Sequence, residues 1–131
     1  MSVLDRSRVA AALGERLADR FLQYAHVPAD GEPQGLLFSI DAHLAEVQRA
    51  ATRWPDADRH FEVVERVAGL CKRLLVLCLA MDDDGRAAVV GAVRYFLDTL
   101  DLERDDQPFG FGDDAQVIDY VVREVAPELG G

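Results

Sequence analysis

The sequence predicts an all-α fold, a single-domain bundle of about five helices. Two observations point there. Apolar residues recur at spacings of three and four along the whole chain, and alternating β-branched runs are missing. Segments rich in Pro, Gly and Asp interrupt the apolar periodicity at intervals that suit helices. The length, 131 residues, fits one domain with a buried core and no need of a disulfide or metal.

The first helix is expected over Val3 to Ala25, opened by Ser2 with Asp5 in a capping-box-like arrangement. Leu13, Leu17, Phe21 and Tyr24 line one stripe of it. Pro28 and residues 29–35 read as a loop. The second helix runs from Leu36 to Trp54, with Leu37, Ile40, Leu44, Val47, Ala51 and Trp54 on one side and Glu46, Gln48, Arg49 and Arg53 on the other. Pro55 stops it. The third covers Ala57 to Met81 with two adjacent apolar series. Phe61, Val64, Ala68, Cys71, Leu75 and Cys78 form one, and Val63, Val67, Leu70, Leu74, Leu77 and Met81 the other. The run from Leu74 to Met81 is apolar all round, so this helix is expected at the centre of the bundle. Asp-Asp-Asp-Gly (82–85) caps a fourth helix from Arg86 to Leu97 or slightly beyond, with Asp84 as the expected cap and Val89, Val93, Phe96, Leu97 and Leu100 inward. Gly91 inside that helix marks a close contact. A loop over 101–112 then leads to Asp113, which caps a last helix carrying Ile118, Val121, Val122 and Val125.

Cys71 and Cys78 lie seven apart on one helix, which places their Cα atoms about 10 Å apart, too far for a disulfide. They read as buried small hydrophobes in a reducing compartment. The N-terminus has no apolar signal-peptide core. The longest apolar run, Leu74 to Met81, has eight residues, too few to span a membrane. These readings point to the cytoplasm. One Lys beside thirteen Arg suggests a GC-rich bacterial genome.

Charge carries the clearest functional information. There are 24 acidic and 14 basic residues, a formal net charge of −10. Nucleic acid and anionic membranes would be repelled by such a surface. The excess is local: residues 1–81 hold 11 acids and 10 bases, while residues 82–131 hold 13 acids and 4 bases. Helix capping explains Asp84 and Asp113. It does not explain Asp101, Glu103, Asp105 and Asp106.

The stretch from Tyr95 to Ile118 resembles the signature of the YkvA-like family, a bacterial domain family without a settled activity. Tyr95 and Phe96 match its aromatic helix end. Asp101, Leu102 and Asp105 match its first acidic segment, and Pro108, Gly110, Asp113 and Asp114 match its turn and paired aspartates. Glu103 and Arg104 stand where that pattern has Ile-Pro, and Thr99 replaces a Pro. The resemblance implies a helical fold and a purposeful segment between Asp101 and Asp114.

These residues suit several chemistries unequally. Hard cations take several oxygen ligands, which makes Asp101, Asp105, Asp106, Asp113 and Asp114 the metal candidates, although the spacing is not that of an EF-hand. His26, His43 and His60 are each isolated, and His43 with Glu46 is a single reversed di-iron-type pair. No nucleophile elbow or phosphate-binding glycine loop is present. Phe109 and Phe111 flank Gly110 within the charged segment, and an apolar tip rimmed by carboxylates suits a protein partner. The expectation is therefore a non-catalytic, cofactor-free acidic interaction module of adaptor, antitoxin or immunity type. It would bind a basic protein through residues 98–114, with Asp101, Glu103, Asp105, Asp106, Phe109 and Phe111 as the contact residues. The alternative is a metal-binding protein or metal-dependent enzyme using the same segment. Homodimerisation through the regular seam of the second helix is a further option.

Overall fold

The computed structural model describes the backbone of residues 2–51, 57–103 and 111–129. Among these residues the chain is all-helical: α1 (Arg6–Leu13), α2 (Glu15–Tyr24), α3 (Glu32–Ala51), α4 (Ala57–Cys78), α5 (Asp83–Glu103), α6 (Phe111–Val125) and a final 3-10 turn at Pro127–Leu129. One hydrophobic core draws on every α-helix. No described helix is long and apolar enough to cross a membrane.

The expected first helix is two helices. Gly14 sits at φ 84°, ψ 160°, a conformation open to glycine, and it ends α1 and starts α2. The stripe of Val9, Leu13, Leu17 and Phe21 stays buried through the break, which is why the periodicity hides it. Asp5, not Ser2, caps α1: its carboxylate accepts from the Arg8 amide at 3.1 Å. Ser2 instead donates its hydroxyl to Asp84 at 2.6 Å and accepts from the Leu4 amide. It thereby ties the N-terminal segment to the start of α5.

The second expected boundary also moves. Gly31, at φ 84°, precedes a helix that already includes Glu32 and Pro33. Proline fits a first helical turn, where its missing N–H has no partner to lose, so part of the expected loop is helix. Asp82, rather than Asp84, caps α5. Its side chain accepts from the Gly85 amide at 2.8 Å and its carbonyl from the Arg86 amide at 2.9 Å.

The largest revision concerns the centre. On α4 the two apolar series are buried as expected at Val64, Val67, Ala68, Cys71, Leu74, Leu75 and Cys78. Val76 in the last turn of α4 and Leu79 just after it, however, are each 62% exposed, so the end of α4 is not covered all round. The surrounded helix is α5. Every residue from Ala87 to Val93 is buried, and α5 packs against α2, α3, α4 and α6. A run buried on consecutive positions covers the full helical circumference. α5 also runs on to Glu103, and α6 starts two residues before Asp113. The expected loop over 101–112 thus loses residues to both helices.

α6 closes the bundle with Val117, Ile118, Val121 and Val122, and with Tyr120, which the periodicity did not single out. The Tyr120 ring meets Phe21 edge-on at 6.3 Å, and its hydroxyl donates to the Val3 carbonyl at 2.7 Å. Burial, with Glu124 nearby, pushes its pKa up. Arg8 pairs with Glu124 and joins α1 to α6. Cys71 and Cys78 are buried free thiols; burial raises the pKa of Cys78, whose Sγ contacts the Leu75 carbonyl.

Two helical glycines predict opposite responses to alanine. A Cβ at Gly91 would lie 2.9 Å from Cα of Ala25. Overpacking against backbone costs about 1–3 kcal/mol, more than the roughly 1 kcal/mol that alanine adds to a helix. At Gly69 a Cβ meets nothing within 4 Å. Urea unfolding is expected to show Gly91→Ala less stable than the parent and Gly69→Ala more stable by about 0.5–1 kcal/mol.

Candidate functional site

The acidic segment begins on α5 and its position follows from how that helix ends. Arg94 and Asp98 lie one turn apart and both engage the α2–α3 junction. Arg94 donates from Nε at 3.1 Å and Nη2 at 2.6 Å to Oε2 of Glu32. The same carboxylate lies 2.8 Å from His26 Nε2 and accepts from the Ala29 amide at 3.0 Å. His26 Nδ1 in turn lies 3.0 Å from the Tyr24 carbonyl. Glu32, only 13% exposed, is the hub of this junction. Burial alone would raise its pKa, but the bonds from Arg94, Ala29 and His26 outweigh burial and hold it below the ordinary value.

Asp98 has a similar structural role. The Tyr24 hydroxyl donates to its Oδ2 at 2.5 Å, and Arg20 approaches the same oxygen at 3.8 Å. Arg20 also lies over the Tyr95 ring, 5.3 Å from the centroid, and Tyr24 meets Tyr95 edge-on at 6.3 Å. The hydrogen bond to Asp98, followed by burial and the carboxylate's charge, raises the pKa of Tyr24. Asp98 is thus a partner of the scaffold, although it opens the segment 98–114 expected to meet a partner protein.

The remaining acids divide by position. Asp101 and Glu103 are helical, in the last turn of α5, where no base is present. Phe111, Asp113 and Asp114 fall in the first turn of α6. The side chains of these five residues lie outside the described ones, as do Asp105, Asp106 and Phe109 entirely. Arg94, the base of α5 nearest these acids, is bonded to Glu32. Sequence reading missed Glu32 because residues 29–35 look like a loop; the signal was Pro33, which suits a first turn.

The other acidic cluster is accounted for by helix ends. Asp82 caps α5, Asp83 pairs with Arg86, and Asp84 receives the Ser2 hydroxyl. Among the described residues no three His, Cys, Asp or Glu side chains converge to hold a metal ion. His43, the candidate of the His-x-x-Glu pair, has Nδ1 2.8 Å from the Ser39 carbonyl. Two surface grooves of about 610 and 660 Å³ lie between α4 and α6 and beside the start of α5. Both are open and lined by mixed charges, and neither lining includes a His or Cys. The serine in the second, Ser2, is hydrogen-bonded to a carboxylate with no imidazole beside it.

No family model matches the chain, and no match emerges among curated proteins or solved structures.

Glu32 predicts an acid limb in the stability. Its folded pKa lies below the unfolded value near 4.5. The contribution is therefore complete above that value and lost as pH falls through the folded pKa. Glu32→Gln is expected to lower stability at pH 7 and to narrow the gap to wild type near pH 3, read by urea unfolding at both. Tyr24→Phe removes the hydrogen bond to Asp98 and is expected to cost about 1 kcal/mol. Ultraviolet titration should show the parent losing, on that substitution, a phenol that ionises above the usual tyrosine range.

Proposed function

We propose that the chain is a non-catalytic acidic interaction module, of adaptor, antitoxin or immunity type, whose partner is a basic protein bound through residues 98–114. The observation that carries this reading is the placement of Asp101 and Glu103. They stand in the last turn of α5, which holds no base. The negative end of a helix dipole disfavours carboxylates and favours cations. The one base of residues 98–114, Arg104, follows Glu103 in sequence and is outnumbered by the acids around it. Acids at such a position fit a role outside the fold.

Composition supports the same segment. Residues 98–114 contain seven acids and one base. Of the scaffold bases nearest the start of this segment, Arg94 is engaged with Glu32, and Arg20, which lies over Tyr95, meets only Asp98, the segment's first acid. Acids concentrated in one stretch, with Phe109 and Phe111 among them, suit a partner that brings cations around an apolar contact. The resemblance of residues 95–118 to the YkvA-like family favours treating this stretch as a unit. Two buried free thiols fit a reducing compartment, and the cytoplasm is the proposed location.

Asp→Asn at positions 101, 105 and 106 together tests the reading. The triple variant is expected to melt at or slightly above the wild-type temperature. Its association with an arginine-rich polypeptide should slow several-fold and lose most of its salt dependence. A matched neutralisation of exposed acids elsewhere, Asp30→Asn with Glu62→Gln and Glu65→Gln, should leave association much closer to wild type. Equal loss in the two triples would show a general charge effect and remove the assignment to this segment.

A further inference from the structure

The segment between α2 and α3 carries a histidine whose two ring nitrogens are both committed to acceptors. His26 Nδ1 lies 3.0 Å from the Tyr24 carbonyl, and Nε2 lies 2.8 Å from Oε2 of Glu32. A carbonyl oxygen and an ionised carboxylate accept hydrogen bonds and donate none. Glu32 is ionised throughout the neutral range, because its pKa lies below the ordinary value. Neutral imidazole has one N–H and one lone pair. It satisfies one of the two contacts and sets its lone pair against the oxygen of the other. Only the imidazolium, with two N–H groups, makes both. The geometry of the junction is therefore that of a protonated ring.

The charged groups around the ring come from the neighbouring helices. Glu32 opens α3, and Arg94 of α5 donates twice to the same Oε2. One turn further along α5, Asp98 is taken by Tyr24 and approached by Arg20, both of α2. Asp30, in the segment itself, is exposed. Two cations thus share the Glu32 carboxylate, so hydrogen bonding rather than surplus negative charge holds the ring's proton. The ring is 47% exposed, which leaves it free to turn into water when that proton departs.

Tyr24 ends α2 and Glu32 begins α3, so the imidazolium bridges the two helix ends. The other bonds of the segment are local ones. The Ala25 amide donates to the Phe21 carbonyl, the Ala29 amide to Oε1 of Glu32, and the Glu32 amide back to the Ala29 carbonyl. Ala25, the residue before His26, is also the one that α5 approaches at Gly91.

We propose that His26 is a proton-operated clamp on the α2–α3 junction, closed by the imidazolium that joins the Tyr24 carbonyl to the Glu32 carboxylate and released when the ring becomes neutral. Imidazole is the side chain that changes charge between about pH 5 and 8. The closed junction uses a proton that the released segment does not need. Closure therefore holds on the acid side of that range and is lost as pH rises through it. Release leaves Arg94 as the one cation on Glu32 and does not open the core. The inference is independent of the partner reading for residues 98–114.

Amide hydrogen exchange of the full chain at about pH 6 and about pH 8.5 tests it, each rate being divided by the unstructured-chain rate at the same pH. In wild type, protection at the Ala29 and Glu32 amides is expected to fall about tenfold from the lower pH to the higher, the effect of losing one hydrogen bond to a charged group. His26→Gln, which has no proton to lose, should show the same protection at both pH values. His43→Gln should keep the wild-type step. The buried amides of α5 from Ala87 to Val93 should hold their protection throughout. Equal protection at the two pH values in wild type, a step that survives His26→Gln or vanishes in His43→Gln, or a parallel loss along α5 would each overturn the proposal.

Discussion

The structure depends on the space that four helices leave for α5. Its buried stretch from Ala87 to Val93 uses only Ala, Val and Gly. Helices in contact keep their axes about 8–10 Å apart, a distance set by the side chains between them. A helix with neighbours on α2, α3, α4 and α6 must satisfy that limit around its circumference, which larger residues would prevent. Gly91 marks the tightest approach, where the α5 backbone meets Ala25 at the end of α2. The valines lower intrinsic helix propensity, so tertiary packing sustains this stretch. Larger side chains enter only beyond the constriction, at Tyr95, Phe96 and Leu97.

Polar ties then hold both ends of the packed helices. At one end Glu32 gathers Arg94, His26 and the Ala29 amide, while Tyr24 reaches Asp98. At the other, Arg8 meets Glu124, Tyr120 reaches the Val3 carbonyl and Ser2 reaches Asp84. Most of these contacts join residues far apart in sequence, so each depends on a completed core. They also explain how a strongly acidic chain folds without scattering its charge. Asp82, Asp83, Asp84, Asp98 and Glu124 all have identified structural partners. A carboxylate held by a cap or a cation contributes to the fold even while adding to the net charge.

The all-α class and most inward positions were legible because helical periodicity survives in a single sequence. Val64, Ala68, Cys71, Leu75 and Cys78 on α4, and Val89, Val93, Phe96 and Leu97 on α5, are buried as their spacing predicts. What failed was the ranking of helices by hydrophobicity. α4 has the larger apolar side chains, yet its Val76, and Leu79 just beyond its end, are exposed. Periodicity tells which residues leave water when a neighbour exists; it does not tell how many neighbours a helix has. Small residues carried that information, since a helix hemmed in on several sides cannot be bulky. The break at Gly14 was hidden by an apolar stripe that stays in phase across it, and the start of α3 by a proline that serves loops and first turns alike. The acidic segment was legible as composition, and its division between a helix end and a helix start was not. That division matters, because carboxylates are favoured in the first turn of α6 and disfavoured in the last turn of α5.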